Sequence, residues 1–183
     1  MLEKYLIAHC SPTLASLKTA SLFRLPVPSA ADLQAQLTQW NRTLAGKGIT
    51  LLALQRCGGT ALVYVFRKSR LREDLCKPEV ARFLSAYGYE SAEPDAAIGT
   101  LKSRLEAEGG FPHEIGLFLG YPLGDVAGFI RNAGRNFKCA GCWKVYGDEQ
   151  EAARQFARYK KCREVYGRLW KEGRSVWQLT VAA

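Results

Sequence analysis

Two β-rich apolar runs, "ITLLAL" at 49–54 and "TALVYVFR" at 60–67, stand on either side of "QRCGG". The glycine-bearing turn between them makes a β-hairpin the natural reading. Neither run alternates apolar with polar residues, so both faces of the hairpin must be covered by other elements. Helices are therefore expected above and below it. Upstream, "ADLQAQLTQWNRTLAG" reads as a helix opened by Ser29 or Ala30 and closed by Gly46 or Gly48. Downstream, "SRLREDL", "PEVARFLSAYG" and the stretch from Pro94 read as three more, with Pro78 at the first position of the second.

The two ends carry less regular signals. In "CSPTLASLKTASLF", Ser11 is a good N-cap and Pro12 suits a first helical position, which predicts a helix from about Pro12 to Leu22. After Cys142, "WKVYG" reads as a short strand, and Asp148 caps a long helix. Ala152, Phe156, Tyr159, Cys162, Tyr166 and Leu169 form one face of that helix. "SVWQLTV" reads as a closing strand, which would complete a crossover onto the hairpin sheet. The expected class is mixed α/β (α+β). It has a small central mixed sheet with a β-hairpin, helices on both faces and a C-terminal strand-helix-strand, in a single domain over 1–183.

A chain of 183 residues buries roughly two-thirds of its unfolded surface and needs neither disulfide nor metal to be stable. No apolar run reaches the length of a membrane span, and the start lacks the basic-then-apolar layout of an export signal. The six cysteines are accordingly read as reduced cytoplasmic thiols. Net charge is +9, and residues 131–174 hold twelve Lys and Arg against five Asp and Glu. That balance suits an anionic partner: a small molecule, a redox protein or, less favoured, a nucleic acid. A solvated basic helix face is the simpler reading. No serine triad, paired-carboxylate site, P-loop or dinucleotide fingerprint is present.

Two groups of residues carry possible chemistry. Cys139 and Cys142 form a CxxC that precedes a strand, so it lacks the helix N-terminus that activates a thioredoxin-type pair. As a metal knuckle it needs further ligands, and Cys162 on the inner face of the following helix is the candidate. Buried neighbouring thiols are the third reading. Cys10 stands directly before the expected Ser11-Pro12 helix start, where unpaired N–H groups and the helix dipole favour a thiolate. His9 would assist as base or second ligand, and Lys18 would hold the anion. Alternatively, Ser11 and Thr13 at that N-terminus would bind a phosphate, carboxylate or cofactor group. In "PHEIGLFLGYPLGDVAGFI", residues 112–130, the apolar and small-residue spacing matches a helix-turn-helix, a segment taken as 113–133. Its would-be reading helix has an acid, Asp125, and no side chain suited to base edges, so two closely packed helices explain it better. Gly120, Gly124 and Gly128 fit a close helix contact or a backbone-lined pocket.

Three motifs together resemble a bacterial family catalogued as domain of unknown function 3793. They are "HCSPTLASLKTASLF", "PHEIGLFLGYPLGDVAGFI" and "WKVYGDEQEAARQFARYKKCR", and the resemblance runs from about Tyr5 to Trp170. It implies a small cytosolic bacterial protein and, through an association with ferrous-iron and flavodoxin functions, redox or metal handling. The resulting expectation is a thiol-centred protein that handles a redox cofactor: iron, haem or flavin. Cys10 is its reactive thiol and Cys139 the partner. A basic nucleic-acid-binding module and a non-catalytic interaction protein with structural cysteines are the alternatives.

Overall fold

A computed structural model describes residues 2–27, 29–107 and 110–182. The chain divides into two compact units, one made of Met1–Leu71 with Cys162–Ala183, the other of Arg72–Lys161. The mixed α/β class holds.

The first unit is built on the hairpin. Strands β2 (Ile49–Cys57) and β3 (Thr60–Arg67) pair antiparallel, with Leu54 as an extra residue where the register shifts between Ala53 and Gln55. Strand β1 (Ala20–Pro26) joins the other edge of β3, also antiparallel, so the order is β1-β3-β2. The central strand is buried along nearly its whole length, as its unbroken apolar run requires. One face of the sheet presents Phe23, Leu25, Val63, Val65, Ile49 and Leu51 to three helices. These are α1 (Leu2–Leu14), α2 (Ala30–Leu44) and α9 (Val176–Leu179). They contribute Leu2, Leu6, Cys10 and Leu14 from α1, Leu33, Leu37 and Leu44 from α2, and Val176 and Leu179 from α9. On the opposite face Tyr64 and Phe66 are also buried and stack at 4.8 Å.

Helix α2 starts as its sequence dictates, with Ser29 Oγ accepting from the Asp32 N–H at 3.1 Å. Gly48 at φ 71° closes the 3-10 turn that follows. Helix α1 corrects an expectation. It does not begin at Pro12 but ends two residues beyond it. The apolar spacing 2, 6, 10, 14 sets the helix register, and Pro12 falls in its last turn. Residues 20–26 then alternate inward Phe23 and Leu25 with outward Arg24 and Pro26, so they form a strand. The segment at 175–179 is also helical and not a strand. Ser175 Oγ accepts from the Gln178 N–H at 3.2 Å while Gln178 Oε1 accepts from the Ser175 N–H at 2.9 Å, a complete capping box. Among the described residues the three-stranded sheet is therefore wholly antiparallel, without a C-terminal crossover strand.

Arg67 ends β3 and is 1% exposed. Its guanidinium donates to the carbonyl oxygens of Thr13 (2.8 Å), Leu14 (2.8 Å), Lys47 (3.2 Å) and Val181 (2.7 Å). Thr13 and Leu14 lie at the C-terminal end of α1, where carbonyls lack intrahelical partners and the dipole is negative. A buried cation is thus balanced by backbone oxygens.

In the second unit, Pro78 and Pro94 open α4 (Pro78–Ser85) and α5 (Pro94–Glu106). Glu114, 1% exposed, accepts from Tyr89 Oη at 3.1 Å and pairs with Arg104, which also reaches the Tyr87 carbonyl at 3.1 Å. Two short helices follow, α6 (Ile115–Phe118) and α7 (Leu123–Arg131), then a miniature hairpin of β4 (Cys139–Ala140) and β5 (Lys144–Val145). Helix α8 (Glu149–Lys171) begins where Asp148 Oδ1 accepts the N–H groups of Gln150 (2.9 Å) and Glu151 (3.0 Å). The eight-residue α3 (Lys68–Leu75) joins the two units in sequence. Among the described residues no helix is long and apolar enough to cross a membrane.

Candidate ligand cavity

The N-terminal cluster does not form the setting that its sequence suggests. Cys10 lies on the inward face of α1, fully buried, near the helix's C-terminal end. Burial pushes its thiol up to about 12, against which the Lys18 charge and a hydrogen bond from Ser21 act only weakly. His9, one residue before, is exposed; its ring stacks on Phe23 at 5.5 Å and lies tilted against Tyr5 at 5.7 Å. Partial burial and Arg163 lower its pKa. Ser11 bonds back to the Ile7 carbonyl, and Thr13 Oγ1 bonds Ser21 Oγ at 2.9 Å. With no helix N-terminus here, Ser11 and Thr13 have no anion-binding amides beside them. The physical reason is the helix direction, since α1 offers this region its negative end.

A thiol set this way should be unreactive in the native state. Iodoacetamide at pH 8 is expected to label exposed Cys57 and Cys76 first and Cys10 only after denaturation, as read by peptide mass spectrometry. The unfolded thiol ionises near 9.0 and the folded one near about 12. Cys10 therefore stabilises the fold fully below pH ~9, and that contribution is lost as pH rises toward ~12. Replacing Cys10 with Ala should flatten the alkaline fall of stability over this window. Prompt native labelling of Cys10 would contradict its burial.

Cys139 and Cys142 are half-exposed on the miniature hairpin, and all six cysteines are free. Lys138 N–H donates to the Val145 carbonyl at 2.8 Å and Gly141 N–H to the Trp143 carbonyl at 3.0 Å, which folds the CxxC into a tight turn. Cys162 is buried on α8, and burial pushes its thiol up to about 11. Among the described residues no group of three or more His, Cys, Asp or Glu is placed to hold a metal ion. Cys139 and Cys142 belong to the second unit and Cys162 to the first.

The CxxC turn instead forms part of a cavity wall. A cavity of about 370 Å³ lies in the second unit between α6, α7 and the hairpin. Ala140 and Gly141, the residues between the two cysteines, line it. Tyr121 and Trp143 also line it, their rings stacked at 4.7 Å, with Phe156 edge-on behind Trp143 at 4.6 Å. Phe129 and His113, 4.9 Å apart, also belong to the lining, as does Lys144.

Asp125 holds this wall in place. It is 4% exposed and sits in the first turn of α7. Its carboxylate accepts the Trp143 indole N–H at 2.7 Å and the backbone N–H groups of Tyr146 and Gly147, both at 2.8 Å. Three donors satisfy the buried charge and fix the indole plane. The helices approach closely because of glycine. A Cβ on Gly116 would meet Val126 Cγ2 at 2.7 Å, and one on Gly128 would meet the Tyr146 ring at 2.5 Å. Burial pushes Tyr121 up to about 12, with Cys142 and Tyr159 adding to the rise, so its hydroxyl stays protonated and donates to the Cys142 carbonyl at 3.3 Å. The segment with helix-turn-helix spacing is thus a single turn, a corner at Gly120 (φ 77°) and a helix whose Asp125 and Gly128 are turned inward.

None of this aromatic lining falls within the candidate groups that the sequence marks out. The local signal was the pair of small residues inside CxxC followed by Trp143, but the partner Asp125 is eighteen positions away.

The family model described as protein of unknown function (DUF3793) matches residues 6–180, and the chain belongs to that family. No curated protein and no solved structure matches it.

Proposed function

Membership of a family of unknown function brings no activity with it, and we propose from the chain's own geometry that this is a cytoplasmic protein that binds a planar heteroaromatic ligand in the second unit's cavity. One observation carries the reading: a cavity of about 370 Å³ walled by Trp143 stacked on Tyr121, with Phe129 and His113 also in the lining. Pockets of small ligands are concave, mostly apolar and furnished with a few fixed polar groups, and this one has that make-up. Flat rings gain both apolar burial and favourable stacking against such walls. Among redox cofactors a flavin has this shape, so the cofactor-handling expectation is kept with a new location. Cys10 has no part in it. Cys139 and Cys142 flank the lining residues and would be neighbours of the bound ring.

The nucleic-acid alternative loses its helix-turn-helix argument. Its remaining support is the exposed basic side chains of α8, two of which, Arg154 and Arg168, already face acids on the same helix or close to it.

The test is calorimetric titration with riboflavin, adenosine and guanosine and with their 5′-monophosphates. At least one of the three rings should bind with a dissociation constant below about 1 mM. Trp143→Leu should weaken that binding roughly tenfold or more through lost stacking, with the far-ultraviolet spectrum unchanged. Absence of binding by every ring, or binding indifferent to Trp143, would remove the proposal.

A further inference from the structure

Resting on the reading of the cavity as a ring site, we infer that Lys144 is its anion subsite and that the ligand is a phosphorylated heteroaromatic, a nucleoside monophosphate in the broad sense. Lys144 is half-buried and lines the cavity. Its ammonium donates to the Gly134 carbonyl at 2.7 Å and lies 5.7 Å from the Phe129 ring centre and 4.8 Å from that of Phe137. An ammonium has three N–H donors, and this contact uses one. The two rings stabilise the charge only through their faces. Among the described residues no carboxylate forms an ion pair with it.

The surroundings act in the same direction. From Val126 to Gly147 the chain has four cations, Arg131, Arg135, Lys138 and Lys144, and no acid. Asp125, the carboxylate among the lining residues, spends its oxygens on Trp143, Tyr146 and Gly147. A partly desolvated cation beside apolar rings favours an anion more strongly than one in bulk water does. A phosphate attached to the ring by a short linker meets both requirements at once. The ring stacks in the aromatic lining and the phosphate accepts from Lys144 Nζ. Phe137, 40% exposed beside that ammonium, would be covered by the linker.

Comparison within each nucleoside and monophosphate pair tests the subsite separately from the cavity. For the ring that binds, the monophosphate should bind roughly 10- to 100-fold tighter than the nucleoside, the advantage of one charge-assisted bond. Raising salt from low to high should shrink that advantage. Lys144→Met should remove it and leave nucleoside affinity nearly unchanged, while Lys144→Arg should keep most of it. Equal affinity of nucleoside and monophosphate, or a preference that survives Lys144→Met, would overturn the subsite and leave the cavity reading standing. Failure of every nucleoside and every monophosphate to bind would overturn both.

Discussion

Arg67→Met should lower the stability of the first unit by about 4 kcal/mol, enough to shift the melting temperature by roughly 10 °C or to abolish the folded state. The effect is large because one buried side chain ties together four backbone carbonyls from separate segments. Thr13, Leu14, Lys47 and Val181 each accept from the guanidinium, and methionine would fill the volume while removing that donor; the Thr13 carbonyl keeps the Ser16 N–H at 3.1 Å and the Leu14 carbonyl the Val181 N–H at 3.0 Å, so the loss falls on Lys47 and Val181. Burial lowers the guanidinium pKa, with Arg70 acting in the same direction. It nonetheless stays charged at neutral pH, because arginine ionises so far above it. The negative end of α1 supplies the counter-charge that an acid would otherwise provide. Arg67→Lys separates charge from geometry. A lysine keeps the cation but offers three donors from a single point, so it cannot span four oxygens and should cost about 2 kcal/mol. Chemical denaturation of the three proteins reads the ordering directly. An Arg67→Met protein within about 1 kcal/mol of the parent would show that the carbonyls find water or other donors, and the clamp would lose its meaning.

The elements read correctly from sequence are those whose signals are local. The hairpin follows from two apolar runs and two glycines, α2 from Ser29 at its start, α4 and α5 from prolines at their first positions, and α8 from Asp148. At the N-terminus two local signals compete. Ser11-Pro12 has the chemistry of a helix start, yet proline is also tolerated near a helix end when the lost hydrogen bond is one of few, and the spacing of Leu2, Leu6, Cys10 and Leu14 settles the direction. The helix direction also inverts the electrostatics expected at Cys10, since a helix start attracts an anion and a helix end repels one. At the C-terminus the Ser175 and Gln178 pair is a capping signature that outweighs the β propensity of "VWQLTV". The cavity was the least legible feature. Its parts come from α6, α7 and the hairpin, and nothing local to "NFKCAGCWKVYG" announces that Trp143 will be pinned by an acid from another helix. Cysteines draw attention in a sequence because of their reactivity, whereas this wall is built from the residues between and after them.

Asp125→Ala is the second substitution with a large expected effect, and it joins stability to the proposed site. It strips the acceptor from the Trp143 indole and from the Tyr146 and Gly147 amides, all at or near the cavity wall. Leaving these donors unpaired should cost about 3–4 kcal/mol, less whatever water recovers. Asp125→Asn keeps one acceptor oxygen but turns an NH2 group toward a donor, so an intermediate loss of about 2 kcal/mol is expected. The two variants differ in what they do to the indole. With alanine the Trp143 ring is free to leave its stack on Tyr121, and ligand affinity should fall along with stability. With asparagine rotated so that its oxygen faces the indole, the ring keeps its plane and affinity survives in part. Fluorine NMR of 5-fluorotryptophan protein follows this without reference to any ligand, because the chain has four tryptophans and only one resonance should broaden and move toward the solvent-exposed shift in Asp125→Ala. If that resonance stays sharp and in place while stability drops, the indole is held by Tyr121 and Phe156 packing alone. Asp125 would then be a support for the hairpin backbone and not the residue that orients the wall.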